Sequence, residues 1–126
     1  MHADQPNCIK ILVVDDHALF RKAVIEFLNG EDGFEIYAQA ASGLEAVQLA
    51  DRLNPDVIMM DVSMPGMDGI QATNLIRQSQ PDAKIIALSM HDDEIMRNRM
   101  HAAGAAAYIR KDALAGELMQ AIRQFM

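Results

Sequence analysis

Five polar residues stand where apolar segments of the chain end. Segments of four or five apolar residues, each bounded by turn-forming residues, are typical of buried strands. Directly after such segments come three carboxylates, a hydroxyl and an ammonium: Asp15, Asp16, Asp61, Ser89 and Lys111. If the strands are parallel, these positions all lie at one edge of the sheet, which is where open α/β sheets bind ligands. The sequence therefore predicts one pocket that contains all five residues.

These residue types indicate a metal-assisted reaction of a phosphoryl group. Clustered carboxylates repel one another, so at pH 7 they need a cation between them. Oxygen ligands with room for water suit Mg2+, and Asp15, Asp16 and Asp61 would supply that site. A carboxylate is also a competent nucleophile toward phosphorus, giving an acyl phosphate. Lys111 would neutralise one phosphoryl oxygen, and Ser89 would donate a hydrogen bond to another.

The elements that must position these residues alternate along the chain. Five strands are predicted at 9–14, 34–40, 57–61, 84–89 and 106–110. Five amphipathic helices are predicted at 18–29, from the cap Ser42 to Pro55, from the cap Asp68 to Ser79, from Asp92 or Asp93 to Ala103, and from Leu114 to the C-terminus. This alternation requires right-handed crossovers and a parallel sheet, so the expected fold is α/β, (βα)5 and doubly wound. A polar second strand and a mixed fifth strand as the two edges fit the order 2-1-3-4-5.

Composition restricts the function classes. The 126 residues are enough for one domain with its own core, and the net charge of -7 leaves no basic surface for nucleic acid or an anionic membrane. No apolar run approaches the roughly 18 residues of a membrane helix, and the N-terminal residues lack a signal-peptide pattern. Cys8 is the only cysteine, which indicates a reducing compartment and a role as an apolar filler. We therefore expect a cytoplasmic protein, with a flexible lead at 1–8 and one domain at 9–126.

The polar residues and their neighbours resemble the receiver domain of two-component response regulators. The resemblance covers residues 9–125 and is carried by Asp15-Asp16 after the first strand, Asp61 with Met64-Pro65-Gly66-Met67-Asp68-Gly69 after the third, Ser89 after the fourth, and Tyr108 with Lys111 around the fifth. The segments 14–21 and 88–91 are most similar to the NarL/FixJ (LuxR-type) branch. Members of that branch usually carry a C-terminal helix-turn-helix, so the resemblance implies a DNA-binding effector domain that is absent from this chain.

The resemblance implies a flavodoxin-like sheet and a role for each acid. Asp61 would accept a phosphoryl group from a phosphohistidine of a sensor histidine kinase. Asp16 and Asp61 would ligate Mg2+ directly, with the Ser63 backbone carbonyl as a third protein ligand. Asp15 would act largely through water. The domain would then be a phosphoprotein of signal transduction, not an enzyme in the ordinary sense.

The resemblance also implies a conformational switch. Lys111 would hold the phosphoryl group, Ser89 would turn toward it, and Tyr108 would move inward behind it. The face formed by the fourth helix, the fifth strand and the fifth helix would repack, which allows phosphorylation-dependent homodimers or control of an effector domain.

A few positions carry separate expectations. Many receivers have proline after the lysine, often with a cis peptide, whereas this chain has Asp112, which is a candidate N-cap for the last helix. His17 follows the acidic pair and could touch the site, but the start of the first helix is the preferred position for it. Met96 and Met100 of the fourth helix, with the neighbouring Met90, are expected to form a weakly held surface that binds partners.

Other functions are compatible with parts of the pattern. A haloacid-dehalogenase-type phosphatase also uses aspartate, Mg2+ and lysine, but it needs an Asp-x-Asp motif where this chain has adjacent acids. A flavin carrier would need a phosphate loop at the same place, where two carboxylates would repel phosphate. A stand-alone receiver and a pseudo-receiver that only dimerises remain as further alternatives.

Overall fold

Five parallel strands form one sheet in the computed structural model, which describes residues 8–124. The strands are β1 (Ile9–Val14), β2 (Phe34–Ala40), β3 (Val57–Asp61), β4 (Lys84–Ser89) and β5 (Ala107–Arg110). Their order across the sheet is β2-β1-β3-β4-β5, with every neighbouring pair parallel. The predicted flavodoxin-like order is confirmed, and the polar second strand does lie at an edge.

A helix follows each strand. The helices are α1 (Ala18–Asn29), α2 (Gly43–Leu53), α3 (Gly69–Ser79), α4 (Glu94–Ala103) and α5 (Leu114–Arg123), with a short 3-10 turn, Lys111–Ala113, before α5. None of the helices in residues 8–124 has the length and hydropathy of a membrane span. Phe125, which was predicted to extend the last helix, and residues 1–7 of the predicted lead lie outside the described residues.

The core lies in two layers, one on each face of the sheet. One layer packs Leu12 and Met60 against α2, α3 and α4, and the other packs Val13 and Met59 against α1 and α5. Neighbouring residues of a strand point to opposite faces, so a strand that is covered on both sides is apolar without alternation. All five residues of β3 are buried for this reason. The continuous apolar run that precedes Asp61 is therefore a consequence of its central position in the sheet.

Side-chain caps fix the starts of three helices. The Ser42 hydroxyl accepts a hydrogen bond from the backbone N of Glu45, as predicted for α2. Asp68 and Gln71 form a reciprocal capping box at the start of α3. Of the two candidates for α4, Asp93 is the cap, and its Oδ1 accepts from two backbone N–H groups of the first turn.

The expectation for Asp112 is wrong. Ala113 occupies the N-cap position of α5 and makes no side-chain cap, while Asp112 lies in the 3-10 turn. Its Oδ2 is instead 2.6 Å from Nη2 of Arg110, in an exposed ion pair. The peptide between Lys111 and Asp112 is trans. The short turn therefore makes the connection from the strand to the last helix without a cap.

The expected methionine surface on α4 is only partly correct. Met100 is fully buried and belongs to the core, so it anchors the helix and is not available to a partner. Met90 and Ile95 are exposed at 63% and 71%. Leu19 lies at helical spacing with the other apolar residues of α1 but is 86% exposed. The helical period located the apolar residues without fixing which of them face the sheet.

A cavity of about 510 Å3 opens at the amino ends of β3 and β4. Its walls are two loop segments, 54–57 and 79–84, together with Ile9. None of the predicted site residues lines it, since parallel strands place their carboxyl ends at the opposite edge. It is therefore distinct from the candidate site.

Gly43 packs directly against the loop that follows β3. A Cβ atom at this position would clash with the backbone carbonyl of Met67, whereas a Cβ at Gly116 on α5 would meet nothing within 4 Å. We expect Gly43→Ala to lower the free energy of unfolding by about 1–3 kcal/mol because backbone must move. Gly116→Ala is the matched control and should raise it by up to about 1 kcal/mol. Urea denaturation of both variants measures this, and equal effects would contradict the close packing.

Candidate functional site

The predicted residues meet at the carboxyl edge of the sheet. Asp61 is the last residue of β3, and Asp15 and Asp16 follow β1, its neighbour in the sheet. Lys111 follows β5 and reaches across β4 to the acids. Ser89 ends β4 at the same edge. The loops after the central strands therefore build the site, as is usual in open parallel sheets.

Lys111 lies between two of the carboxylates. Its Nζ is 2.8 Å from Oδ2 of Asp15 and 3.4 Å from Oδ1 of Asp61, and all three side chains are at least 96% buried. Lysine is almost never buried unless it is paired. The Nζ also lies 4.7 Å from the centre of the Phe20 ring on α1, which adds a cation–π contact. The ammonium is thus held by two charges and one aromatic face.

The acids form a group that fits a hard dication. Asp15, Asp16, His17 and Asp61 each offer one ligand atom, and these atoms lie within 4.8 Å of one another. The Oδ2 atom of Asp61 is buried and has no hydrogen-bond partner among the described residues. A buried carboxylate oxygen without a donor is costly, and a cation would remove that cost. The donors are mostly carboxylate oxygens, which suit Mg2+.

The environment of Asp61 opposes its ionisation. Burial, and after it the charge of Asp15, raise the pKa of Asp61 to about 7, although Lys111 acts in the opposite direction. Desolvation disfavours the charged form because the carboxylate loses its water. A dication bound beside Asp61 would reverse this effect and favour the carboxylate.

Ser63 forms a hydrogen bond with Asp61, whereas Ser89 forms one within its own loop. The backbone N of Ser63 donates to Oδ1 of Asp61 at 3.4 Å, so the loop after β3 folds back over the acid. The Ser89 hydroxyl accepts from the backbone N of His91 at 3.2 Å and thus faces its own loop. The roles assigned to the Ser63 carbonyl and to the Ser89 hydroxyl stay predictions.

Tyr108 is buried against the loop between β4 and α4. Its hydroxyl donates to the backbone carbonyl of His91 at 3.3 Å. The guanidinium of Arg97 lies 4.5 Å from the centre of the ring, and its Nη2 is 2.7 Å from Oδ1 of Asp92. The hydrogen bond from Arg97 lowers the pKa of Asp92. The tyrosine is therefore connected to the same loop that Ser89 begins.

The sequence did not indicate the role of Arg21, which forms a brace, that is, a set of hydrogen bonds that holds the turn carrying Asp15. Nη1 of Arg21 donates to the Asp15 carbonyl at 2.6 Å, and its Nε donates to Oε1 of Gln39 on β2 at 2.7 Å. One side chain thus connects α1, the turn after β1 and the edge strand. No sequence signal distinguishes Arg21 from any other basic residue on a helix surface. Arg97 was missed for the same reason.

Replacement of Asp61 should change the pH dependence of stability. The pKa of Asp61 is about 7 in the folded domain and 3.8 in its ordinary state. Between these values the folded form retains a proton that the unfolded form has lost, so stability falls as pH rises through this window. Without divalent cations, Asp61→Asn should be more stable than the parent at pH 8 by on the order of 1–3 kcal/mol. Urea denaturation between pH 4 and 8 measures the difference.

The matched control is Asp51→Asn, which removes the same charge from an exposed position on α2. It should leave the pH profile of the parent unchanged. A constant offset between Asp61→Asn and the parent at every pH would show that the carboxyl of Asp61 titrates normally.

Comparison with known proteins identifies the family. Residues 11–123 match the family model described as "Response regulator receiver domain". The response regulator GacA of Pseudomonas syringae pv. syringae is 44% identical over 91% of this chain and 54% of its own length. The transcriptional regulatory protein DegU of Brevibacillus brevis is 41% identical over 93% of this chain and 50% of its own. The chain therefore spans about half the length of the curated relatives it matches.

Solved structures agree with the sequence comparison. A LuxR-family two-component response regulator from Aurantimonas sp. SI85-9A1 superposes with a TM-score of 0.88 at 34% identity, covering 93% of this chain and 84% of the other. The signal receiver domain of the putative response regulator NarL from Mycobacterium tuberculosis gives a TM-score of 0.88 at 30% identity, covering 94% and 96%. The chain belongs to the response regulator receiver domain family, in its NarL/FixJ (LuxR-type) branch.

Proposed function

We propose that this receiver domain accepts a phosphoryl group on Asp61 from a sensor histidine kinase and changes conformation as a result. The observation that carries the proposal is the buried Oδ2 of Asp61, which has no hydrogen-bond partner within residues 8–124 and lies beside Asp15, Asp16 and Lys111. Because no donor of the described residues uses this oxygen, its lone pairs remain for a bond to phosphorus or to a cation. Membership of the receiver family leaves the phosphatase and the flavin carrier without support.

The transfer is a displacement at phosphorus. A carboxylate oxygen of Asp61 forms a P–O bond while the P–N bond to the donor imidazole breaks, and that imidazole leaves with its electron pair and takes up a proton. Lys111, whose Nζ is 3.4 Å from Oδ1 of Asp61, would pair with a phosphoryl oxygen. Mg2+ bound by Asp15, Asp16, Asp61 and the Ser63 carbonyl would neutralise charge that develops on the phosphoryl oxygens.

The phosphoryl group would compete for the hydrogen bonds that hold the loop between β4 and α4 in the unphosphorylated domain. A dianion on Asp61 attracts the ammonium of Lys111 and the hydroxyl of Ser89. Ser89 would then leave the His91 backbone N, to which it is bonded at 3.2 Å. Tyr108 is bonded to the carbonyl of the same residue, so the loop and the aromatic ring would move together. This links the chemistry at β3 to α4, β5 and α5.

We infer the wider context from the family and the relatives. The domain at 9–126 would follow a short lead at 1–8 and precede a DNA-binding effector domain in a full-length transcriptional regulator, with phosphorylation-dependent homodimers as the active form. Its chemistry would be limited to its own phosphorylation and dephosphorylation. A stand-alone receiver is the alternative. A cytoplasmic location fits a domain whose single cysteine, Cys8, is a free thiol.

Acetyl phosphate tests the chemistry without a kinase. Incubation with Mg2+ should add one phosphoryl group to the intact mass of the protein, and hydroxylamine should remove it because an acyl phosphate is labile to that nucleophile. Without Mg2+ the adduct should be absent or scarce. Asp61→Asn should show no adduct under either condition.

Asp68→Asn is the matched control, since Asp68 belongs to the same loop but caps α3. It should be labelled like the parent. Equal labelling of Asp61→Asn would show that another acid is the acceptor, and an unlabelled, folded parent would remove the proposed chemistry.

Replacement of Lys111 should abolish the conformational change on phosphorylation but preserve Mg2+ binding. In Lys111→Ala the acids lose their buried cation, so Mg2+ affinity measured by calorimetry should not fall. The phosphorylated variant should fail to show the amide NMR shifts in α4 and β5 that the phosphorylated parent shows. Lys22→Ala, on the exposed face of α1, should behave like the parent. Parent-like shifts in Lys111→Ala would exclude the lysine from the switch.

A further inference from the structure

His17 lies against the acidic group, although the proposed function gives it no task. Its backbone N donates to Oδ1 of Asp15 at 2.8 Å, which fixes the residue at the start of α1. Its Nδ1 is 3.3 Å from that same oxygen and 3.3 Å from Oδ1 of Asp16, so an Nδ1–H donates to the carboxylates and a bound dication would take the place of that proton. The side chain is 66% exposed, so burial does not force it into this position. The imidazole nitrogen therefore stands at the open side of the carboxylates.

The buried side of the same group carries an independent sign of a ligand. The side chain of Asp61 is 96% buried, and its Oδ2 has no hydrogen-bond partner in the described part of the chain. A ligand atom of Asp61 lies within 4.8 Å of those of Asp15, Asp16 and His17. A cation among them would meet carboxylate oxygens below and an imidazole nitrogen at the rim. The start of α1 fixes the backbone of His17, but it does not require the imidazole to lie beside the carboxylates of Asp15 and Asp16.

A nitrogen donor changes which ions a site prefers. Mg2+ is a hard ion that takes oxygen ligands and keeps several waters, so it gains little from an imidazole. Imidazole suits the later first-row dications, whose affinities for mixed nitrogen and oxygen sites rise from Mn2+ through Co2+ and Ni2+. The same four residues thus offer an oxygen site to Mg2+ and a mixed site to a transition metal.

We propose that His17 is a metal ligand of this receiver, and that through it the site binds a Co2+, Ni2+ or Zn2+ type dication in competition with Mg2+. The inference rests on the metal site of the proposed function, but it assigns to that site a donor and a metal class that Mg2+-dependent phosphorylation does not need. Transition-metal ions at sufficient concentration would then replace Mg2+ in the receiver.

The test compares His17→Asn with the parent, using Co2+ and Mg2+ as probes at pH 8. Asparagine is a favoured N-cap, so the start of α1 is preserved while the nitrogen donor is lost. Calorimetry should show Co2+ affinity reduced by about tenfold or more, with Mg2+ affinity within about twofold of the parent. The visible spectrum of bound Co2+ should also shift, because an oxygen replaces a nitrogen. His101→Ala, an exposed histidine on α4 outside the acidic group, is the control and should match the parent.

A second readout uses the parent alone. Zn2+ should shift the 15N imidazole resonances of His17 in an NMR titration, whereas Mg2+ should leave them in place. Equal losses of Co2+ and Mg2+ affinity in His17→Asn, or unchanged affinity for both, would overturn the inference while leaving the proposed function intact. A parent that binds neither ion would remove the metal site itself and with it the basis of the proposed function.

Discussion

The structure depends on one buried ammonium that is shared by two buried carboxylates. Lys111 reaches Asp15 and Asp61 at 2.8 and 3.4 Å, and the nearby Asp16 adds a third acid. A buried charge survives only with a partner, yet one cation cannot balance three acids. Burial, and after it the negative charge of Asp15, keep the pKa of Asp61 high, and the acids that Lys111 does not balance form a group that fits a cation. The atoms that would bind a cation are therefore also the ones whose burial lowers the stability of the fold.

The rest of the domain keeps those atoms in place. Both faces of the sheet are covered by helices, so β1 and β3 are fixed by apolar packing that does not involve the site. The acids lie just beyond this core. The turn after β1 is held by the hydrogen bond from Arg21 to the Asp15 carbonyl, and the loop after β3 packs closely against Gly43. Because support and chemistry use different residues, the acids can be changed without removal of the core.

Much of this arrangement could be predicted from the sequence because its signals are local. Continuous apolar runs ending in Asp, Ser or Lys located the strands and the site, and Ser42 and Asp68 marked helix starts. The errors concern side-chain contacts, both between elements and within a single turn. Met100 faces the core, Asp112 pairs with Arg110 instead of capping a helix, and Arg97 covers Tyr108. Such contacts depend on the rotation of a helix about its axis and on side-chain direction, which periodicity does not determine.

The cavity at the amino ends of β3 and β4 has a practical consequence. Its rim includes Asp82, an exposed loop residue at the pole of the sheet that faces away from the acids. A dye or a surface tether attached there, through an introduced cysteine, would leave the acidic pole facing the solution. The domain could then be immobilised in a single orientation for kinase-docking measurements, with the buried Cys8 shielded from the coupling reagent.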